Sequence, residues 1–255
     1  MKIEKIKIAT ENGNLAAVIN QPEKQGDKLA ILCAGFLDSK DYRQLASLAQ
    51  ALAERGYVVV RFDSIGVWES EGDISQYTMT QYLEDIKSVL EYMLGQHEYK
   101  NILLGGHSRG GQMSILYAAS DPRISIVLGI MPSSGAILGK RRETWEKAGF
   151  GIDRRDLPNE REKKIEFHVP FAHVLDRDRY DAIGEIKKIK CPVILIAGEL
   201  DKSVAPEDVK ELFNNANQPK SFTIMPGIVH DYRFSEKEVE LVNKKVLEQL
   251  DSINV

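Results

Sequence analysis

Cysteine is scarce in this chain: Cys33 and Cys191 are the two among 255 residues. Two such distant thiols build neither a disulfide framework nor a metal-ligand spacing. Charge of one sign is not in excess either. The 34 Lys and Arg against 38 Asp and Glu leave a net charge of −4 and a pI near 5.8, which gives no global attraction for nucleic acid. No apolar run approaches the roughly 18 residues of a membrane span. The opening "MKIEKIKIAT" lacks the apolar core and small-residue cleavage site of a secretory signal. The expectation is a soluble cytoplasmic protein without metal or cofactor. Its oligomeric state stays open, a homodimer included. What the chain does have is 43% hydrophobic residues, enough for a sizeable core in one large domain.

Short β-rich runs alternate with helical patterns from residue 28 onward. "KLAILCAG" (28–35) is apolar almost throughout, as a strand buried on both faces must be. In "DYRQLASLAQALAERG", Leu45, Leu48, Ala49 and Leu52 share one helical face that stops at Gly56. Strands are predicted again at 57–63, 100–106, 124–131, 192–198 and 220–225. Helices are predicted behind Thr78-x-x-Gln81, read as a capping box, over 109–120, at "APEDVKELFNN" with Pro206 in its first turn, and at the end of the chain, opened by Ser235-x-x-Glu238. "KIEKIKIA" and "LAAVIN" read as an antiparallel hairpin at one edge. Repeated β-α-β alternation predicts an α/β fold, a mostly parallel sheet with helices on both faces. In such sheets ligands bind beyond the carboxyl ends of the strands.

That rule gives meaning to "GGHSRGG" (105–111). It is either a glycine-rich turn that happens to contain a serine or a nucleophile elbow with Ser108 between Gly106 and Gly110. Ser108 falls between a predicted strand and a predicted helix, at the carboxyl end, where an elbow belongs. A serine hydroxyl needs a base, and the base needs an orienting acid. Among the five histidines, His97 reads as surface, His107 as structural, and His168 and His173 fall between strands. His230 follows the last strand at its carboxyl end and is the candidate base. Strand 192–198 runs into "GELDKSV", which offers Asp201 as the acid and Glu199 as the fallback. Ser108, Asp201 and His230 stand in the chain order of α/β-hydrolases. The backbone N–H groups of Arg109 and Phe36 are the candidate oxyanion hole.

With these motifs in place the chain resembles an α/β-hydrolase of the serine esterase type over nearly its whole length. The likeness rests on "AGF", "RFDSIGVWESEGD", "GGHSRGG", "KCPVILIAGELDKSV" and "MPGIVHDY", and is strongest toward cinnamoyl/feruloyl esterase-like hydrolases. The resemblance implies that Ser108, Asp201 and His230 are catalytic and that the core (1–132 and 187–255) carries a cap insertion (133–186). It also marks two departures. Ala34 stands where the family has a histidine, and Trp68 replaces the second glycine of D-x-x-G-x-G-x-S, in which Asp63, Gly66 and Ser70 fit.

The implied reaction is hydrolysis of a small-molecule carboxylic ester, short acyl or arylacyl, through an acyl-serine. A thioesterase or small-peptide hydrolase on the same triad is the alternative, and a non-catalytic binder the third reading. Within the insertion, residues 139–164 hold nine Lys/Arg and six Asp/Glu, either a solvated face or an anion-binding surface. "KKIEFHVPFAHVLD" predicts a small hairpin around Pro170. Trp68, Phe167 and Phe171 are candidate walls of a compact apolar acyl pocket. Alternatively, the two phenylalanines anchor the insertion to the core and Trp68 packs under its loop.

Overall fold

The computed structural model describes residues 1–24 and 26–253. Alternation of side chains along its strands separates two apolar layers. In β3 (Lys28–Cys33), Leu29, Ile31 and Cys33 face one layer, whereas Ala30 and Leu32 face the other, the period of two that strand geometry imposes. The first layer is completed by α2 (Met79–Gln96), α3 (Arg109–Ala118), α6 (Ala182–Ile186) and α7 (Pro206–Asn215). The second is completed by α1 (Arg43–Glu54) and α8 (Glu236–Ser252). Both faces of the central strands are therefore dry, which is why those strands read as continuous apolar runs.

Eight strands form the sheet, in the order β1-β2-β4-β3-β5-β6-β9-β10. The remaining ranges are β1 Lys2–Thr10, β2 Gly13–Gln21, β4 Tyr57–Phe62, β5 Asn101–His107, β6 Ile126–Ile130, β9 Val193–Gly198 and β10 Lys220–Met225. The β1/β2 hairpin pairs antiparallel within itself and with β4, and every other pairing is parallel. β3 lies between β4 and β5, so the chain reverses its direction of travel across the sheet there. The carboxyl ends of β3 and β5 thus flank a switch-point crevice.

Helix ends follow their local chemistry. α1 ends before Gly56, whose φ of +87° suits a residue without Cβ. Thr78 caps α2 by accepting from the Gln81 N–H at 3.0 Å, but the reciprocal half of the box is missing. The Gln81 side chain bonds Asn12 and Asp85 instead. Asp73 and Gln76, which the sequence reading passed over, make a complete capping box.

Between β6 and β9 the chain inserts α4 (Gly139–Ala148), a hairpin of β7 (Phe150–Leu157) and β8 (Glu160–Pro170), α5 (Ala172–Arg177) and α6. The expected hairpin around Pro170 is corrected: the chain turns at 158–159, and Pro170 ends β8 just before α5. Pro170 has no N–H to extend the ladder and favours such a terminus. Trp145, Phe167, Val169 and Val174 bury against Leu37, Val67 and Tyr77 of the main body, with Phe36, Trp68 and Phe171 partly buried around them.

Candidate active site

The turn from β5 into α3 leaves no room for side chains around Ser108. A Cβ on Gly106 would lie 2.3 Å from the Cys33 carbonyl oxygen, and one on Gly110 only 2.0 Å from it. Glycine at both positions is therefore a packing requirement. Ser108 itself adopts φ +54° and ψ −116°, a conformation that non-glycine residues hold only under constraint. Its N–H donates to the Ile130 carbonyl at 2.9 Å, which ties the strained residue to the end of β6.

From this turn Ser108 Oγ lies 3.0 Å from His230 Nε2, and His230 Nδ1 lies 2.6 Å from Asp201 Oδ2. Asp201 follows β9 and His230 follows β10, so three strand ends supply the three groups. The second carboxylate oxygen of Asp201 accepts the N–H groups of Ser203 and Val204, each at 2.8 Å. Burial pushes the Asp201 carboxyl up, but the bonds from His230, Val204 and Ser203 outweigh it and hold the group below its ordinary range. Glu199 points elsewhere and accepts the Gly227 N–H at 2.8 Å. His107 is buried, lies tilted 4.6 Å from the His230 ring and edge-on 5.5 Å from Tyr232, and burial lowers its basicity. It walls the His230 ring without bonding Ser108. His97 packs edge-on to Tyr99, and His168 is exposed and paired with Glu166.

The loop after β3 brings Phe36 to the same cleft. Among the described residues the Phe36 N–H has no hydrogen-bond acceptor, whereas the next N–H, of Leu37, donates to Tyr77 Oη at 2.9 Å. Arg109 opens α3, where the first N–H groups have no acceptor within the helix. Ala34 does not unanchor this loop: its carbonyl accepts from Tyr82 Oη at 2.9 Å. The Asp63 carboxylate, fully buried, receives the Lys40 and Glu69 N–H groups and the Lys40 ammonium. Ser70 bridges the Asp63 carbonyl and the Ala16 N–H.

A cleft of about 310 Å³ opens over Ser108 and His230. Phe36, Ile137 and Val204 are its apolar lining, and Arg109, Arg141, Arg155, Arg177, Asp38, Asp153, Asp231, Ser133 and Ser203 supply polar groups. Trp68, Phe167 and Phe171 are not part of this lining, which corrects the expected apolar acyl pocket. The reason is packing. The Trp68 indole donates to the Leu37 carbonyl at 3.0 Å and meets Tyr42 and Phe167 edge-on at 5.7 and 5.6 Å. It thereby holds an unfavourable φ of +54° at the position where the family pattern has glycine. Phe167 is buried against it, and Phe171 packs beside the same cluster. The sequence reading assigns no role to Asp38 or Arg177, and places His173 only between strands. The one signal for the cationic lining was the Lys/Arg excess in 139–164, which contributes Arg141 and Arg155.

Comparison with known proteins agrees with this architecture. The family model described as "Serine aminopeptidase, S33" (Hydrolase_4) matches residues 25–180, a span that includes Ser108 and stops before Asp201. An uncharacterized 31.7 kDa protein of the traX-finO intergenic region of Escherichia coli is 26% identical over 220 residues, 73% of this chain and 77% of that one. Mouse mitochondrial palmitoyl-protein thioesterase ABHD10 is 21% identical over 178 residues, 68% of this chain and 59% of that protein. Among solved structures, Est1E from Butyrivibrio proteoclasticus with ferulic acid bound superposes with a TM-score of 0.78. It is 22% identical and covers 97% of this chain and 98% of that one. At that identity the likeness is one of fold. No helix among the described residues is long and apolar enough to cross a membrane.

Proposed function

Because the chain belongs to the serine aminopeptidase S33 (Hydrolase_4) family of α/β hydrolases, we propose that it is a serine hydrolase cleaving carboxylic esters of small molecules. The observation that carries this reading is the unbroken chain from Ser108 Oγ through the His230 ring to Asp201. In the proposed cycle His230 Nε2 takes the Ser108 proton as Oγ attacks the ester carbonyl, and the Phe36 and Arg109 N–H groups receive the developing oxyanion. Asp201 fixes the Nδ1–H tautomer and balances the imidazolium. His230 then returns the proton to the departing alkoxide, leaving an acyl-Ser108 that water cleaves by the same route in reverse.

A specific observation favours a second reading, a thioesterase on the same residues: the mouse relative carries that activity in its name. The segment 133–186 acts in this scheme as a cap, supported by its apolar attachment beside the cleft. The cytoplasm is the proposed compartment, supported by two free cysteines. A fluorophosphonate probe tests the core claim. It is expected to label Ser108 alone in the wild-type protein and nothing in Ser108→Ala. Label on another serine, or none at all, overturns the assignment. Parallel p-nitrophenyl ester and thioester substrates then rank the two readings.

A further inference from the structure

The cationic lining of the cleft is not balanced by its carboxylates. Arg141 pairs with Asp153 at 2.7 Å, and Arg155 lies 3.6 Å from Asp38. Asp178 is taken by Arg142, and Asp176 by the N–H and hydroxyl of Thr80 and by Arg179. Asp231 lies 3.7 Å from Arg233. Arg109 and Arg177 remain, and among the described residues neither touches a carboxylate.

Arg109 is 2% exposed, and its Nε and Nη2 have no hydrogen-bond partner among the described residues. Its guanidinium packs 4.6 Å from the centroid of the Phe36 ring that lines the cleft, and its Nη1 bonds His173 Nε2 at 2.9 Å. His173 Nδ1 lies 2.7 Å from the Tyr77 carbonyl, so Nδ1 carries the proton and Nε2 accepts from Arg109. A neutral imidazole thus orients the guanidinium without cancelling its charge. Burial, and then Arg109, hold His173 down to about 3. Arg177 gives one N–H to the Gly135 carbonyl and leaves Nε unpartnered. Burial, and then Arg109 and Arg141, push it down to about 9. Arg109 is thus a buried cation and Arg177 a half-buried one, and cations removed from water without counter-charge are unfavourable until an anion arrives.

We infer that the cleft seats an oxyanion of the substrate, a carboxylate or a phosphate, against Arg177 and Arg141, with the unbalanced charge of Arg109 behind the Phe36 ring. The inference rests on the hydrolase reading above for what is cleaved, but not for what is bound. Guanidinium forks suit both anions, and an oxyanion would supply the counter-charge that the protein withholds. Part of the 139–164 charge excess is in this view an anion surface, because Arg141 and Arg155 line the cleft.

The test compares p-nitrophenyl esters of hexanoic acid, of adipic acid as the monoester, and of phosphonopentanoic acid. A second pair carries a carboxylate, or none, on the nitrophenol ring. On wild-type protein at least one anionic ester of either side is expected to show a kcat/KM about tenfold or more above its neutral partner. The two acid groups separate a carboxylate site from a phosphate site. That ratio should fall toward one in Arg177→Gln, fall partly in Arg141→Gln, and persist in larger part in Arg177→Lys. Calorimetric titration of the same esters into Ser108→Ala reads binding without turnover, with the anionic member expected to bind about tenfold tighter. Equal or weaker use of the anionic esters with normal turnover of the neutral ones overturns this inference and leaves the hydrolase standing. Absence of turnover and of fluorophosphonate label overturns the hydrolase, and the calorimetric ratio then decides the anion site alone.

Discussion

The Asp201 carboxylate and the His230 imidazole meet at 2.6 Å, although they stand 29 positions apart in the chain with α7 and β10 between them. The neighbouring Glu199 is occupied by the Gly227 N–H, so the two carboxylates of "GELD" have different partners. Asp201→Asn is expected to lower ester kcat by about a thousandfold or more, because an amide imposes the wrong tautomer on the ring. Glu199→Gln should cost less than about tenfold. Steady-state kinetics on the two purified variants checks the ranking, and the reverse order would move the acid to Glu199.

Ser108 pays for its exposure with a φ of +54° and receives no side-chain capping bond at the start of α3. Removing the side chain entirely therefore relieves strain without losing a cap. Ser108→Gly is expected to abolish turnover and raise stability by about 1 kcal/mol, equivalent to about 2–4 °C in Tm for a chain of this length. Ser108→Ala keeps the strain and should lower turnover at least about a thousandfold. A lower Tm for the glycine variant would refute the strain.

Trp68 serves the loop rather than the cleft. Trp68→Gly relieves a left-handed backbone but removes an indole wedged between Tyr42 and Phe167. Loss of a large aromatic costs about 3–5 kcal/mol, and relief of the backbone returns about 1. A net loss of about 2–4 kcal/mol is expected, with the acyl-length preference unchanged. Melting curves and a chain-length series on this one variant suffice. A shifted preference at unchanged Tm would put the indole back in the substrate's path.

His173 sets a pH dependence of stability. Its folded-state value lies near 3, below the ordinary 6.5, because burial first and Arg109 second disfavour the imidazolium. The unfolded chain therefore binds the extra proton between those values. The stabilisation is fully present above about pH 6.5 and is lost progressively as pH falls toward 3. Between pH 7 and pH 5 the loss is about 2 kcal/mol. In His173→Gln, whose amide can still donate to Tyr77 and accept from Arg109, that part of the loss should vanish. Urea unfolding at the two pH values measures it, and parallel slopes for both proteins would count against a buried neutral imidazole.

Local pattern and spacing determined much of this protein. Apolar strands, amphipathic helices and their caps are short-range consequences of composition, so the parallel sheet and the β1/β2 edge were legible. So was the meeting of Ser108, Asp201 and His230, because parallel strands deliver their carboxyl ends to one side of the sheet. The lining of the cleft was not legible. Whether Phe167 and Phe171 face substrate or Trp68 depends on how the inserted segment docks on Leu37, Val67 and Tyr77, a contact between residues more than 60 positions apart. The same docking brings Arg177 and His173 beside Arg109 and leaves two guanidinium groups without carboxylates. Charge balance of that kind is a sum over neighbours in space, so only the tertiary structure decided it.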